Sequence, residues 1–102
     1  MDKYKEILEL YEYCKEIDVE VTKEIFEDGY AIRFANGADF VQHRWSYGAD
    51  EGYVEPAGVD KWYDYTAVSL KEAKELIKKY KDKLNKKKRW RGIFKGGGTE
   101  YV

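Results

Sequence analysis

Apolar positions near the start of the chain recur at helical spacing. Tyr4, Ile7, Leu8, Tyr11, Cys14 and Ile17 form one stripe, Asp2 stands where a cap is needed, and the pattern predicts a helix that ends near Ile17. From Val19 the period drops to two. Val19, Val21 and Ile25 alternate with Glu20, Thr22 and Glu24, and Asp28-Gly29 then supplies a hairpin turn, so a first strand is expected there. Tyr30, Ile32 and Phe34 alternate with Ala31 and Arg33 in a second strand. Asn36-Gly37 is a second hairpin dipeptide and leads into a third strand over 38–46.

Residues 47–66 lose this regularity. Glycines are scattered through them, the chain's single proline is Pro56, and the segment reads as a long loop with at most one short strand around Tyr53 to Glu55. Ser69-Leu70-Lys71-Glu72 then forms a capping box with Val68 placed to staple against Ala73. Leu70, Ala73, Ile77, Tyr80 and Leu84 continue as the apolar stripe of a second helix. The expected class is α+β, a small antiparallel sheet of three to four strands flanked by an N-terminal and a C-terminal helix. Residues 1–85 make one domain, and 86–102 form a basic, aromatic-containing, Gly-rich tail.

Composition is consistent with this. A chain of 102 residues with 43% hydrophobic and 38% charged content has room for one core and enough polar surface to cover it. The start, Met1-Asp2-Lys3-Tyr4-Lys5-Glu6, has no signal-peptide character, no apolar run is long enough to span a membrane, and Cys14 has no second cysteine to pair with. A cytoplasmic location is expected.

The net charge of −1 conceals a segregation. Residues 1–68 carry 7 Lys or Arg against 16 Asp or Glu, a net of −9, whereas residues 69–102 carry 12 against 4, a net of +8. Either the basic third folds over the acidic body or the molecule presents two surfaces of opposite sign.

The order helix, three strands, helix resembles that of the double-stranded RNA-binding domain, and Ser69 to Lys74 is similar to the basic start of that family's second helix. The departures are specific. That family carries a characteristic loop between its first two strands where this chain has only the Asp28-Gly29 turn, and its binding needs a basic surface where this body is acidic outside the second helix. Membership is not inferred.

Catalytic chemistry finds little material. His43 is the only histidine, and Asp39, on the same strand face, is four residues away, roughly 13 Å at ~3.3 Å per residue, too far to share a proton. Cys14 belongs to an apolar stripe and reads as a small hydrophobe, and a Cys14–His43 dyad has no support in the spacing. One His and one Cys cannot form a zinc cluster, and Asp50-Glu51-Gly52 with Glu55 lacks calcium-loop spacing. Gly96-Gly97-Gly98 lacks the Lys-Ser or Lys-Thr of a phosphate loop and reads as a hinge. No catalytic residue, metal or cofactor is expected.

Binding chemistry finds more. The segment from Trp45 to Tyr65 concentrates Trp45, Tyr47, Tyr53, Trp62, Tyr63 and Tyr65 beside Asp50, Glu51, Glu55, Asp60 and Asp64. Such aromatics either complete the core or anchor an interface whose acidic rim steers toward a basic partner. The expected function is a non-enzymatic binding protein, similar in size and charge to the small inhibitors and adaptors of phages and mobile elements. It would engage a larger protein through Trp62, Tyr63, Tyr53, Asp50, Glu51, Asp60 and Asp64. The alternative is nucleic-acid binding through Lys86, Lys87, Lys88, Arg89, Trp90 and Arg91, which combine phosphate contacts with base stacking. Glu100-Tyr101-Val102 could add a strand to a partner's sheet edge, and an exposed edge of the third strand could mediate a dimer.

Overall fold

The computed structural model describes residues 4–87. The expected Asp2 cap, the cations Lys88 to Arg91, the glycine hinge and the terminal Glu100-Tyr101-Val102 lie outside the described residues.

The first helix, α1 (Lys5–Glu16), buries Ile7, Leu10 and Cys14 and ends as its pattern predicts. Its C-terminus is a Schellman turn. The Asp18 N–H bonds the Lys15 carbonyl and the Val19 N–H bonds the Cys14 carbonyl at 2.8 Å, with Asp18 in the left-handed region (φ 62°) where glycine is more usual. Asn85 closes this turn from the far end of the chain, donating to the Asp18 carbonyl (3.0 Å) and accepting from the Glu20 N–H (2.7 Å).

Four antiparallel strands follow in a simple meander: β1 (Val21–Phe26), β2 (Gly29–Phe34), β3 (Asp39–His43) and β4 (Glu55–Ala57), in spatial order β1-β2-β3-β4. The third strand is therefore not an edge, because β4 covers it. The short strand expected near Tyr53 to Glu55 is displaced toward Pro56, which pairs with Phe40. Proline has no N–H for the ladder, so an edge strand is where it fits. The β2–β3 connection uses Asn36-Gly37 with Ala35 as a three-residue loop, Gly37 at φ 93° and the Asn36 side chain accepting the Ala38 N–H. The third strand is shorter than its pattern. Ser46 Oγ bonds both the N–H and the carbonyl of His43, which turns the chain away after His43.

Alternation sets the two faces of the sheet. Ile32, Phe34, Phe40 and Gln42 point toward the helices and are buried, while Arg33, Asp39, Val41 and His43 lie on the opposite face, which among the described residues carries no helix. Ile25 lies on the same face as Tyr30, with which it pairs, yet is 73% exposed at the β1 edge of the sheet.

The second helix, α2 (Leu70–Lys79), begins as its capping box predicts, with Ser69 Oγ accepting the Glu72 N–H at 3.1 Å and both Val68 and Ala73 buried. After a break at Tyr80 it continues as the single turn α3 (Lys81–Leu84), whose Leu84 is fully buried. The Glu9–Lys74 ion pair and the Asp18–Asn85 bond show that α1 and α2 run in the same direction. Both helices pack on one face of the sheet, around Ile7, Leu10, Ile32, Phe40 and Ile77.

Candidate interaction surface

The segment joining β3 to α2 is ordered in two pieces on either side of β4. In the first piece Gly48 (φ 68°) and Gly52 (φ 87°) bracket a 3-10 turn, Ala49–Glu51. Gln42, from the inner face of β3, holds this turn and α1 together. Its Oε1 accepts the Ile7 N–H, and its Nε2 donates to the Ala49 carbonyl and to Glu6 Oε1, all at 3.0 Å. The N-cap residue Tyr4 makes no side-chain cap bond, and Gln42, distant in sequence, satisfies one of the helix's first N–H groups. Asp50 lies against the Tyr4 phenol, whose pKa is raised by burial and by that carboxylate. Tyr53 packs over Gly48, where a Cβ would stand 2.7 Å from its ring.

The second piece is braced by carboxylates. Asp60 accepts the Trp62 N–H through Oδ1 (2.9 Å) and the Tyr80 hydroxyl through Oδ2 (2.5 Å), so its carboxyl pKa is lowered, first by Tyr80 and then by the Trp62 backbone. Asp64 accepts the Gly58 N–H at 3.0 Å, and Lys83 donates to the Val59 carbonyl at 3.1 Å. Tyr65, at φ 63°, donates its N–H to the Pro56 carbonyl.

The residues of this segment that complete the core are Val54, Pro56, Val59 and Val68, with Tyr63 packed partly against them. The large aromatics mostly stay out. Trp62 is 88% exposed and Tyr65 70% exposed. Among the expected anchors, Trp62 is presented to solvent, Tyr53 is partly exposed and Tyr63 is half-buried; Asp50 and Glu51 are exposed, and Asp60 and Asp64 brace the loop. The two groups are not brought together. Asp50, Glu51 and Tyr53 lie by the start of α1, and Asp60 to Asp64 by the end of α2.

Strand parity joins Glu55 and Tyr65 of the aromatic and acidic segment to β3 residues that the loop-centred reading left out. On the open sheet face a depression of about 360 Å³ is lined by Asp39, Val41, Glu55, Pro56, Ala57 and Tyr65. Arg33 sits beside it between Glu24 (2.8 Å) and Asp39 (3.6 Å), and half-burial raises the Asp39 pKa against the opposing pull of Arg33. Along the same face Phe26 meets His43 edge-on, ring centroids 6.1 Å apart, across Gly29. A Cβ on Gly29 would overlap the His43 Cβ and the Gln42 carbonyl, so the glycine is what lets the two rings meet.

His43 Nδ1 accepts the Trp45 N–H at 3.0 Å and so caps a turn. Cys14 is buried on the helix side of the sheet, its thiol pushed up to about 12 by burial, while His43 faces the other side; the two form no dyad. Among the described residues no group of His, Cys, Asp and Glu is arranged to hold a metal ion, and no helix is long and apolar enough to cross a membrane. Lys86 and Lys87 are exposed, as are Lys71, Lys78 and Lys79 on α2.

No family model matches the chain, and no curated protein or solved structure matches it either. The element order shared with the double-stranded RNA-binding domain gains no support from these comparisons.

Proposed function

We propose that this protein is a non-enzymatic binding module that engages a larger protein with a basic surface, and that Trp62 is its principal anchor. One observation carries this reading: an indole that is 88% exposed sits on a backbone fixed by Asp60, which is itself held by Tyr80. A large apolar side chain gains nothing by standing in water, and a rigid support lowers the ordering cost of burying it in a partner. Exposed Tyr65, with Glu55 and Asp39 around it, extends the same aromatic and acidic chemistry onto the open sheet face. Asp50, Glu51 and Tyr53 supply a second acidic and aromatic group near α1. Tyr63, Asp60 and Asp64 act by shaping the loop.

The test is a partner-capture comparison between the wild-type chain and Trp62→Ala, with circular dichroism on both. Partners retained by the wild type and lost by a correctly folded Trp62→Ala support the reading; identical capture by both removes Trp62 from the interface.

The exposed lysines of α2 and α3 favour a second reading, nucleic-acid binding through the basic C-terminal third, Lys86 to Arg91 included. It requires affinity for labelled DNA or RNA that falls steeply with salt and vanishes when residues after 85 are removed.

A further inference from the structure

Strand register puts Glu24 of β1, Arg33 of β2, Asp39 of β3 and Glu55 of β4 on the outward face of the sheet, and no lysine of these strands joins them. Arg33 shows what such a face holds. Its guanidinium bridges the strands on either side, reaching Glu24 at 2.8 Å and Asp39 at 3.6 Å. The second contact is longer than a good hydrogen bond, so Asp39 keeps acceptor capacity, and Glu55 makes no ion pair among the described residues.

The depression of about 360 Å³ next to Arg33 has walls of two kinds. Val41, Pro56 and Ala57 are apolar, and the exposed Tyr65 ring stands beside them on a backbone held by the Tyr65 N–H, which donates to the Pro56 carbonyl at 2.8 Å. Asp39 and Glu55 supply charge, and no cation lines the space. Asp39 pairs with Ala57 and Val41 with Glu55, so the two carboxylates stand on a diagonal of one antiparallel pair, about 7–8 Å apart at the backbone. Burial raises the Asp39 pKa, Arg33 opposes the rise, and the Glu24 and Asp64 carboxylates add to it, which makes this corner of the face markedly acidic.

We infer that this depression seats one arginine side chain of the basic partner proposed above, its methylenes against Val41 and Ala57 and its guanidinium between Asp39 and Glu55 with one face on the Tyr65 ring. A planar fork with five N–H donors spans two acceptors set apart in this way and stacks on an aromatic ring; a lysine ammonium is a point charge that reaches one of them. Arg33 already makes the same kind of bridge between Glu24 and Asp39. The seat repeats that bridge one strand further on, for a guanidinium that the fold does not supply.

The probe is N-acetyl-arginine methylamide, titrated to about 50 mM into the isotope-labelled full chain, with its lysine counterpart in parallel. The amides of Asp39, Val41, Ala57 and Tyr65 should shift with a Kd of about 1–10 mM, lysine should bind at least about threefold more weakly, and salt should weaken both. Asp39→Asn, Glu55→Gln and Tyr65→Leu should each cost arginine binding at least about threefold, while Tyr65→Phe keeps the ring and should bind as wild type. The same spectra report whether each variant is folded, and Glu55→Gln removes no ion pair of the described fold. Unchanged spectra, equal affinity for lysine, or binding indifferent to Asp39→Asn and Glu55→Gln each overturns the proposal. So do shifts on dilution of the chain without probe, which would put a second copy in the seat, and binding that appears only once Arg89 and Arg91 are replaced, which would put the chain's own C-terminal segment there. The titration needs no partner and leaves Trp62 unchanged, so the arginine seat and the Trp62 anchor succeed or fail separately.

Discussion

Gln42 lies wholly inside the protein with three hydrogen bonds, whereas Trp62 stands 88% exposed on a loop whose backbone other residues hold. Each departs from the rule that polar groups meet water and apolar groups meet the core, and the departures differ in consequence. The buried amide is balanced by its partners, so its work is structural: it caps α1, fixes the 3-10 turn and ties both to β3. Among the described residues nothing covers the exposed indole. A buried polar group with its bonds made explains itself within the fold, while an exposed indole on a braced backbone is the feature on which the proposed interface rests.

The sharpest way to break this contrast is to remove the amide. Gln42→Leu keeps the size and leaves the Ile7 N–H and the Ala49 carbonyl buried without partners, at about 1–3 kcal/mol for each. Urea unfolding should show the largest loss of any substitution considered, and a near-neutral result would mean that water or a shifted backbone replaces the amide. Gly29→Ala comes next. The added Cβ would collide with His43 and Gln42 at a φ of 155°, at about 1–3 kcal/mol, and Phe26 and His43 should separate, visible as a change in the His43 ring resonances.

Tyr80→Phe tests the support beneath Trp62. Its hydrogen bond lowers the Asp60 pKa and raises that of Tyr80. A lowered carboxylate pKa means stability that is present above the unfolded value near 3.8 and lost as pH falls through the folded one; a raised phenol pKa means stability present below 10.0 and lost as pH rises through the folded value. The variant should be slightly less stable than wild type at neutral pH, and the difference should close at both extremes. An unchanged gap below the Asp60 pKa would show that this bond is not its source. The smallest stability effect is expected for Trp62→Ala, within about 0.5 kcal/mol. A loss as large as that of Gln42→Leu would make Trp62 a core residue and erase the distinction between the two.

What could be read directly along the chain were the features whose causes are local. Ser69 and Glu72 meet because a helix start places them there, the Tyr4-to-Ile17 stripe needs only the helical period, and the hairpins follow from Asp28-Gly29 and Asn36-Gly37. These were enough for the α+β class and for most of the core. The aromatic and acidic character of the 45–65 segment was likewise legible, since composition alone shows it.

Only the folded chain decided which members of that segment work in which way. Asp60 and Trp62 look alike as interface candidates in one dimension, and Tyr80, twenty residues on, makes one a brace and leaves the other exposed. Gln42 sits at an inward position of β3 beside apolar neighbours, and nothing near it announces that Ile7 and Ala49 will need its amide. Ile25 fits the strand pattern yet is 73% exposed among the described residues. In each case the deciding partner is distant in sequence. Periodicity reports which face of an element a residue occupies, and packing determines what, if anything, lies against that face.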